Sequence, residues 1–353
     1  MGDLTHPQAL SSNQMLHLQR AIGNAEVRRL LASNGQAARS SDRTSIQRYP
    51  ATVFDVPLKK NKWKTHTESA RRAKEGKSGG VVFYRSKPKK GPVETVVVKP
   101  ENTGLEEGGK QGQFAETKLQ EAGFAVPKSR RVDANQTEGQ EIVSVMQKFG
   151  VPFMLHGYDA GYSSITHLQI MGAVAGESLS NFLSEEVDPG QEGGKVDKAM
   201  ELLTNSNFKG QVAKLIATDI LLGNDDRISH YAMNFGNLMI NGTNVVPIDS
   251  DSDLTPNFSI RGRNEALQKL AQRPEEIADN FLNGVDAHLR MASDATAELF
   301  RKHQMYQPLR NALIRALKDA SYVVAARSNK IATGEHAELI KQRQEQLRAF
   351  LGS

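Results

Sequence analysis

A chain of 353 residues with 45 basic and 40 acidic side chains carries a net charge of only +5, too evenly balanced to mark a nucleic-acid-coating protein. Its 38% hydrophobic content is enough for one large or two medium domains, and the absence of cysteine excludes disulfides, thiolate metal centres and a thiol nucleophile. No apolar run reaches membrane-span length, and Met1-Gly2-Asp3-Leu4-Thr5-His6 lacks the basic start and apolar core of a secretory leader, so neither an integral membrane segment nor a signal-peptide route is expected.

Residues 1–48 are dominated by Ser, Asn, Gln, Arg and Ala. Their one ordered-looking piece, Leu16 to Leu31, spaces Leu18, Ile22, Val27, Leu30 and Leu31 as a short stripe, enough for a helix and too little for a core. Ala32 to Gln47 reads as linker. Strand-rich sequence follows: Gly76-Lys77-Ser78-Gly79-Gly80 leads into Val81 to Tyr84, and Gly91-Pro92 into Val93 to Val98, the pattern of an antiparallel hairpin. A flexible glycine-rich stretch, Glu101 to Gln113, precedes a predicted helix from Phe114 to Ala122 that Gly123 caps. Strands are predicted at Ile142 to Phe149 and Ser163 to Met171, then helices at Ser178 to Leu183, Lys198 to Asn205 and Gln211 to Leu222. Past a hairpin at Asn241-Gly242 and a loop around Pro256 to Arg263, the remaining sequence reads as helices: Glu265 to Gln272, Pro274 to Leu282, Ala292 to His303, Leu309 to Ala326 and His336 to Leu351. Strands first and helices last predict an α+β protein, with residues 49–175 forming a small β-rich lobe and 176–353 a larger helical lobe beyond it.

The polar residues between these elements carry the chemistry. Lys99 ends a strand and precedes Pro100, where its ammonium can neutralise phosphate oxygens, although a solvated surface lysine fits the same pattern. Glu116, on the next helix, can hold that ammonium in place; Glu121 competes for the role, and an acid near a helix start is also favoured by the macrodipole. Asp225 and Asp226 follow the helix stop Gly223-Asn224, so either can orient a hydroxyl nucleophile or simply form a turn. If the Asn241-Gly242 turn is a tight two-residue one, Asn234 lies opposite Asp249; a loop two residues longer puts Asn237 opposite Ile248. Either register brings an amide oxygen near a carboxylate, a donor pair for a hard cation. Gly79 and Gly80 can expose backbone N–H groups to phosphate or serve as turn residues; neither the Walker nor the protein-kinase glycine pattern is present.

Two resemblances add to this reading. The order of parts resembles the atypical members of the protein-kinase-like superfamily, such as phosphatidylinositol 3- and 4-kinases and HipA-like kinases, over about residues 76–255. Val97-Val98-Lys99-Pro100 looks like their nucleotide lysine, and Phe114-Ala115-Glu116 with Val126-Pro127 like their glutamate-bearing helix. Leu168-Gln169-Ile170-Met171-Gly172 is similar to the hinge, and Asn224-Asp225-Asp226-Arg227 to the catalytic loop. That resemblance implies ATP and Mg²⁺ as cofactors, Asp226 as catalytic aspartate, Asn237 and Asp249 as metal ligands, and Gln169 and Met171 beside the adenine. Three departures stand out: Asp226 to Asn237 spans 11 positions, Asp249 is not followed by Phe-Gly, and there is no His-Arg-Asp.

Separately, Leu18-Gln19-Arg20-Ala21-Ile22-Gly23-Asn24 with Val27, Leu30 and Leu31 resembles an N-terminal segment of proteins associated with extracellular contractile injection systems. This implies a bacterial effector, held in the producing cell until loaded into a phage-tail-like particle and then delivered to a target-cell cytoplasm. A host protein is the expected acceptor of phosphate, a phosphoinositide the alternative. A kinase-like fold with AMP transfer, or with binding alone, is a further alternative.

Overall fold

The computed structural model describes residues 62–72, 81–86, 94–102, 106–127, 129–155, 158–224, 227, 234–249, 260–326, 331–332, 334 and 336–352. Expectations for residues 1–48 and for Gly79, Gly80, Asp225 and Asp226 lie outside them.

The described elements begin with α1 (Lys62–His66), β1 (Thr67–Arg72), β2 (Val82–Ser86), β3 (Glu94–Glu101), α2 (Glu106–Glu121), β4 (Ser129–Asp133) and α3 (Thr137–Lys148). Next come β5 (Met154–Leu155), β6 (Tyr158–Asp159), β7 (His167–Gly172), β8 (Glu177–Ser178), α4 (Leu179–Ser184), α5 (Glu192–Thr204) and α6 (Ser206–Leu222). The hairpin β9 (Leu238–Asn241) and β10 (Asn244–Pro247) is followed by α7 (Ile260–Gln272), α8 (Pro274–Ala292), α9 (Asp294–Lys302), α10 (Tyr306–Ala325) and α11 (Ala337–Gly352). The protein is therefore mixed α+β, and among the described residues no helix is long and apolar enough to cross a membrane.

Five strands pair antiparallel in the order β1-β2-β3-β7-β4. Alternation along them sends Val82, Tyr84, Val96, Val98, Val132, Leu168 and Ile170 into one apolar cluster, which Ile142, Val145 and Met146 of α3 cover. Trp63 of α1 closes this layer. Its ring meets Tyr84 edge-on with centroids 5.5 Å apart, and its Nε1 donates to Glu138 Oε1 at 3.0 Å, which satisfies the polar handle of a fully buried indole.

The strand predicted at Ile142 to Phe149 is instead the second half of α3. β-Branched residues made it look extended, but burial falls at Gly139, Glu141, Ile142, Val145 and Met146, the helical spacing that the sheet requires of a cover. α2 begins at Glu106, well inside the stretch expected to be flexible. Gly123, at φ +88°, ends it as predicted, with Phe124 N donating to Leu119 O at 2.9 Å. The segment from Ser163 to Met171 becomes a strand only at His167, after a 3₁₀ turn over Tyr162–Ser164.

A second and larger cluster is built round α6, whose residues from Leu215 to Leu222 are all buried. A helix apolar on every side needs neighbours on every side, and α5, α7, α10, α11 and β10 pack against it. Leu119, Phe124 and Val126, from α2 and the turn after it, belong to this helical cluster.

Gly139 tests the turn between β4 and α3. A Cβ there would lie 2.2 Å from Asp133 O and 2.6 Å from Ala134 Cα. Helix propensity alone would make Gly139→Ala stabilising by about 1 kcal/mol; the backbone collision reverses the sign, and a net loss of about 1–3 kcal/mol is expected from urea unfolding. An unchanged or raised midpoint would show that the β4–α3 turn yields.

Candidate active site

Lys99 lies on the sheet face opposite the first apolar cluster, because Val98 and Val96 point into that cluster and their neighbours point away. Directly opposite strand partners share a face, so the pairings Lys99 with Gln169, Val97 with Met171 and Met171 with Ser129 put all five side chains on this one surface. Glu116 reaches it from α2. Its Oε2 accepts from Ser129 Oγ at 2.5 Å and its Oε1 from Gln169 Nε2 at 3.1 Å. Glu121, the competitor, lies beyond it on α2 and pairs with Lys118 at 2.8 Å.

The hairpin supplies the other half. β9 and β10 pair with Asn241 opposite Asn244 round a loop of Gly242 and Thr243, with Gly242 at φ +59°. The turn is centred one residue later than Asn241-Gly242, which puts Asn237 rather than Asn234 in register with the residue before Asp249: Ile248 N donates to Asn237 O at 3.0 Å. The register written for a longer loop is thus reached with a short one. Asp249 follows at φ +50°, a left-handed backbone uncommon outside glycine, and its Oδ1 lies 2.5 Å from Lys99 Nζ.

That ion pair joins sheet to hairpin. Its members are 23% and 38% exposed, so solvent screens it and it adds little to stability. Lys99 was expected to be steadied by Glu116; the short bond to its ammonium comes from Asp249, while Glu116 is bonded to Ser129 and Gln169 and still feels the charges of Asp249, Arg227 and Lys99.

Burial pushes the Glu116 carboxyl up to about 7; the Ser129 hydrogen bond opposes this, the Asp249 charge adds to it, and Arg227 and Lys99 pull the other way. Glu116 is therefore poised between its protonated and ionised forms at neutral pH.

Behind the hairpin, Arg227 and Asp219 are fully buried, with Arg227 Nη1 donating to both Asp219 oxygens at 2.8 and 3.1 Å. Burial pushes the Asp219 carboxyl up to about 6, less than it otherwise would because Arg227 and Asn224 bond to it. Ser129 and Asp219 were missed by sequence reasoning. The signal for Asp219 was present: a lone carboxylate inside Leu215 to Leu222, an apolar helical run, needs a buried partner.

Among the described residues no three His, Asp or Glu side chains gather into a cation cage. Asn237, just before β9, is tied by its backbone to Ile248, the residue before Asp249, and an amide and a carboxylate oxygen are donors of the type that a small hard cation takes alongside phosphate and water. An apolar groove of about 340 Å³ lined by Tyr322, Ala325, Ala326, Arg348, Leu351 and Gly352 contains none of these residues and no carboxylate.

The carboxyl of Glu116 gives a stability test. Its folded pKa of about 7 exceeds the ordinary 4.5, so its contribution is fully present below about pH 4.5 and is lost as pH rises through 7. Glu116→Gln lacks that slope. Wild type should lose on the order of 3 kcal/mol relative to the variant between pH 4.5 and 8, measured by urea unfolding. A difference that does not change with pH would mean that the carboxyl ionises as freely in the fold as in water.

No family model matches the chain, and no curated protein matches it.

Proposed function

We propose that the chain is a two-lobed, kinase-like phosphotransferase that moves the ATP γ-phosphate to a hydroxyl of a host protein, delivered as an effector through residues 1–48. One observation carries the reading: a strand lysine and a hairpin aspartate, 150 positions apart in sequence, meet beside a buried helix glutamate. Phosphoryl transfer asks a protein mainly for position and charge, and this arrangement offers both.

In this reading Lys99 neutralises phosphate oxygens, while Val97 and Met171, largely buried on the same sheet face, would flank a base. Gly79 and Gly80 would approach the phosphates with their backbone N–H groups. Asn237 and Asp249 would hold Mg²⁺, which when bound supplies positive charge against the phosphates. Asp226 orients the acceptor hydroxyl and takes its proton as the oxygen–phosphorus bond forms and the bond to ADP breaks.

Incubation with γ-labelled or α-labelled ATP and eukaryotic lysate tests the reaction. Label from the γ position in protein is expected, reduced roughly 10²–10³-fold in Lys99→Ala and Asp249→Ala. Label in the organic phase would point to a phosphoinositide acceptor, and label only from the α position to AMP transfer; undiminished transfer in Asp249→Ala would remove that residue from the site. For delivery, removing residues 1–48 should abolish packaging into the particle and leave phosphotransfer intact.

A further inference from the structure

We infer that Asp219 is a positioning residue for Asp249, acting from within α6 through Arg227. For its catalytic half this rests on the phosphotransfer reading above. The contacts run in one line. Asp219 takes Arg227 Nη1 on both oxygens and Asn224 Nδ2 at 3.3 Å on one of them. Arg227 then turns its other terminal nitrogen, Nη2, onto the carbonyl oxygen of Ile248 at 3.2 Å. The amide of that same residue is bonded to Asn237 O at 3.0 Å. Both backbone polar groups of Ile248, the residue before Asp249, are therefore fixed, its N–H by Asn237 and its carbonyl by the buried guanidinium.

Two physical points favour positioning over simple stabilisation. A buried ion pair rarely makes a fold more stable than apolar residues of the same size would, because both charges have lost their water. Also, Asp249 sits at φ +50°, a backbone state that surrounding structure must hold in place. The Ile248 carbonyl is where that hold is applied. Gly223, at φ +75°, ends α6 just before Asn224, whose N donates to Asp219 O at 2.8 Å, so the Asp219 backbone fixes the start of the loop that its side chain fixes at Arg227.

The test uses the full chain and two variants. Asp219→Leu combined with Arg227→Met removes both charges and keeps the apolar volume, so the thermal midpoint should be unchanged or raised. Asp219→Asn keeps the shape and is the second variant should the double one fail to fold. Mn²⁺ binding is read by electron paramagnetic resonance with a non-hydrolysable ATP analogue present, and backbone hydrogen exchange by mass spectrometry. Positioning predicts that Mn²⁺ binds about 10–100-fold more weakly in both variants, with faster exchange over residues 245–249 and unchanged exchange over β3. Wild-type Mn²⁺ affinity and unchanged exchange at 245–249 in a folded double variant would overturn the inference. If wild type binds no Mn²⁺, the phosphotransfer reading fails, and exchange at 245–249 alone decides whether Asp219 holds this segment.

Discussion

Helix α2 packs into the helical core and also meets the polar face of the sheet, and the site depends on that constraint. Its Leu119 is buried in the cluster round α6, while Glu116, nearly one turn earlier, is bonded to Ser129 and Gln169 on the sheet. Side chains three apart lie on neighbouring parts of a helix surface, so a helix wedged between two layers can give each a different residue. A carboxylate in such a wedge loses its water on both sides. Its raised pKa follows from location more than from any single neighbour.

Much of the helical half could be read from the sequence because helix ends are local events. Gly123, Gly223 and Pro274 mark boundaries by their own backbone preferences, and α6, α8 and α10 show the expected apolar runs. Misreadings arose where tertiary demand outweighed local preference. Ile142, Val143 and Val145 prefer a strand, yet they lie on the helix that covers the sheet. Glycines 108, 109 and 112 argue against a helix, but α2 runs through them. At the hairpin the motif named the correct glycine; whether Gly242 is the first or second loop residue was decided by pairing further along the strands.

Of the residues selected by type and chain order, Lys99 bonds to Asp249, Glu116 to Gln169, and the backbone of Asn237 to Ile248. Which atom bonds to which was not legible. Asp249, bonded to Lys99, is 150 positions from it, and one of the two groups bonded to Glu116 is a serine with no motif around it. Long-range polar pairs depend on how two packed layers meet, and no local periodicity encodes that.

The Lys99–Asp249 bond has a thermodynamic meaning beyond its geometry. Each group occupies the other, so an anion that draws the lysine away releases the carboxylate for a cation, and a cation at the carboxylate releases the lysine for an anion. Were both to bind, the two would be linked with a positive sign, and linkage acts equally in both directions. Because the pair is partly solvated it is cheap to open. A cation and an anion arriving as one complex would therefore displace it more readily than either alone, making the resting contact a filter for ligands that carry both charges.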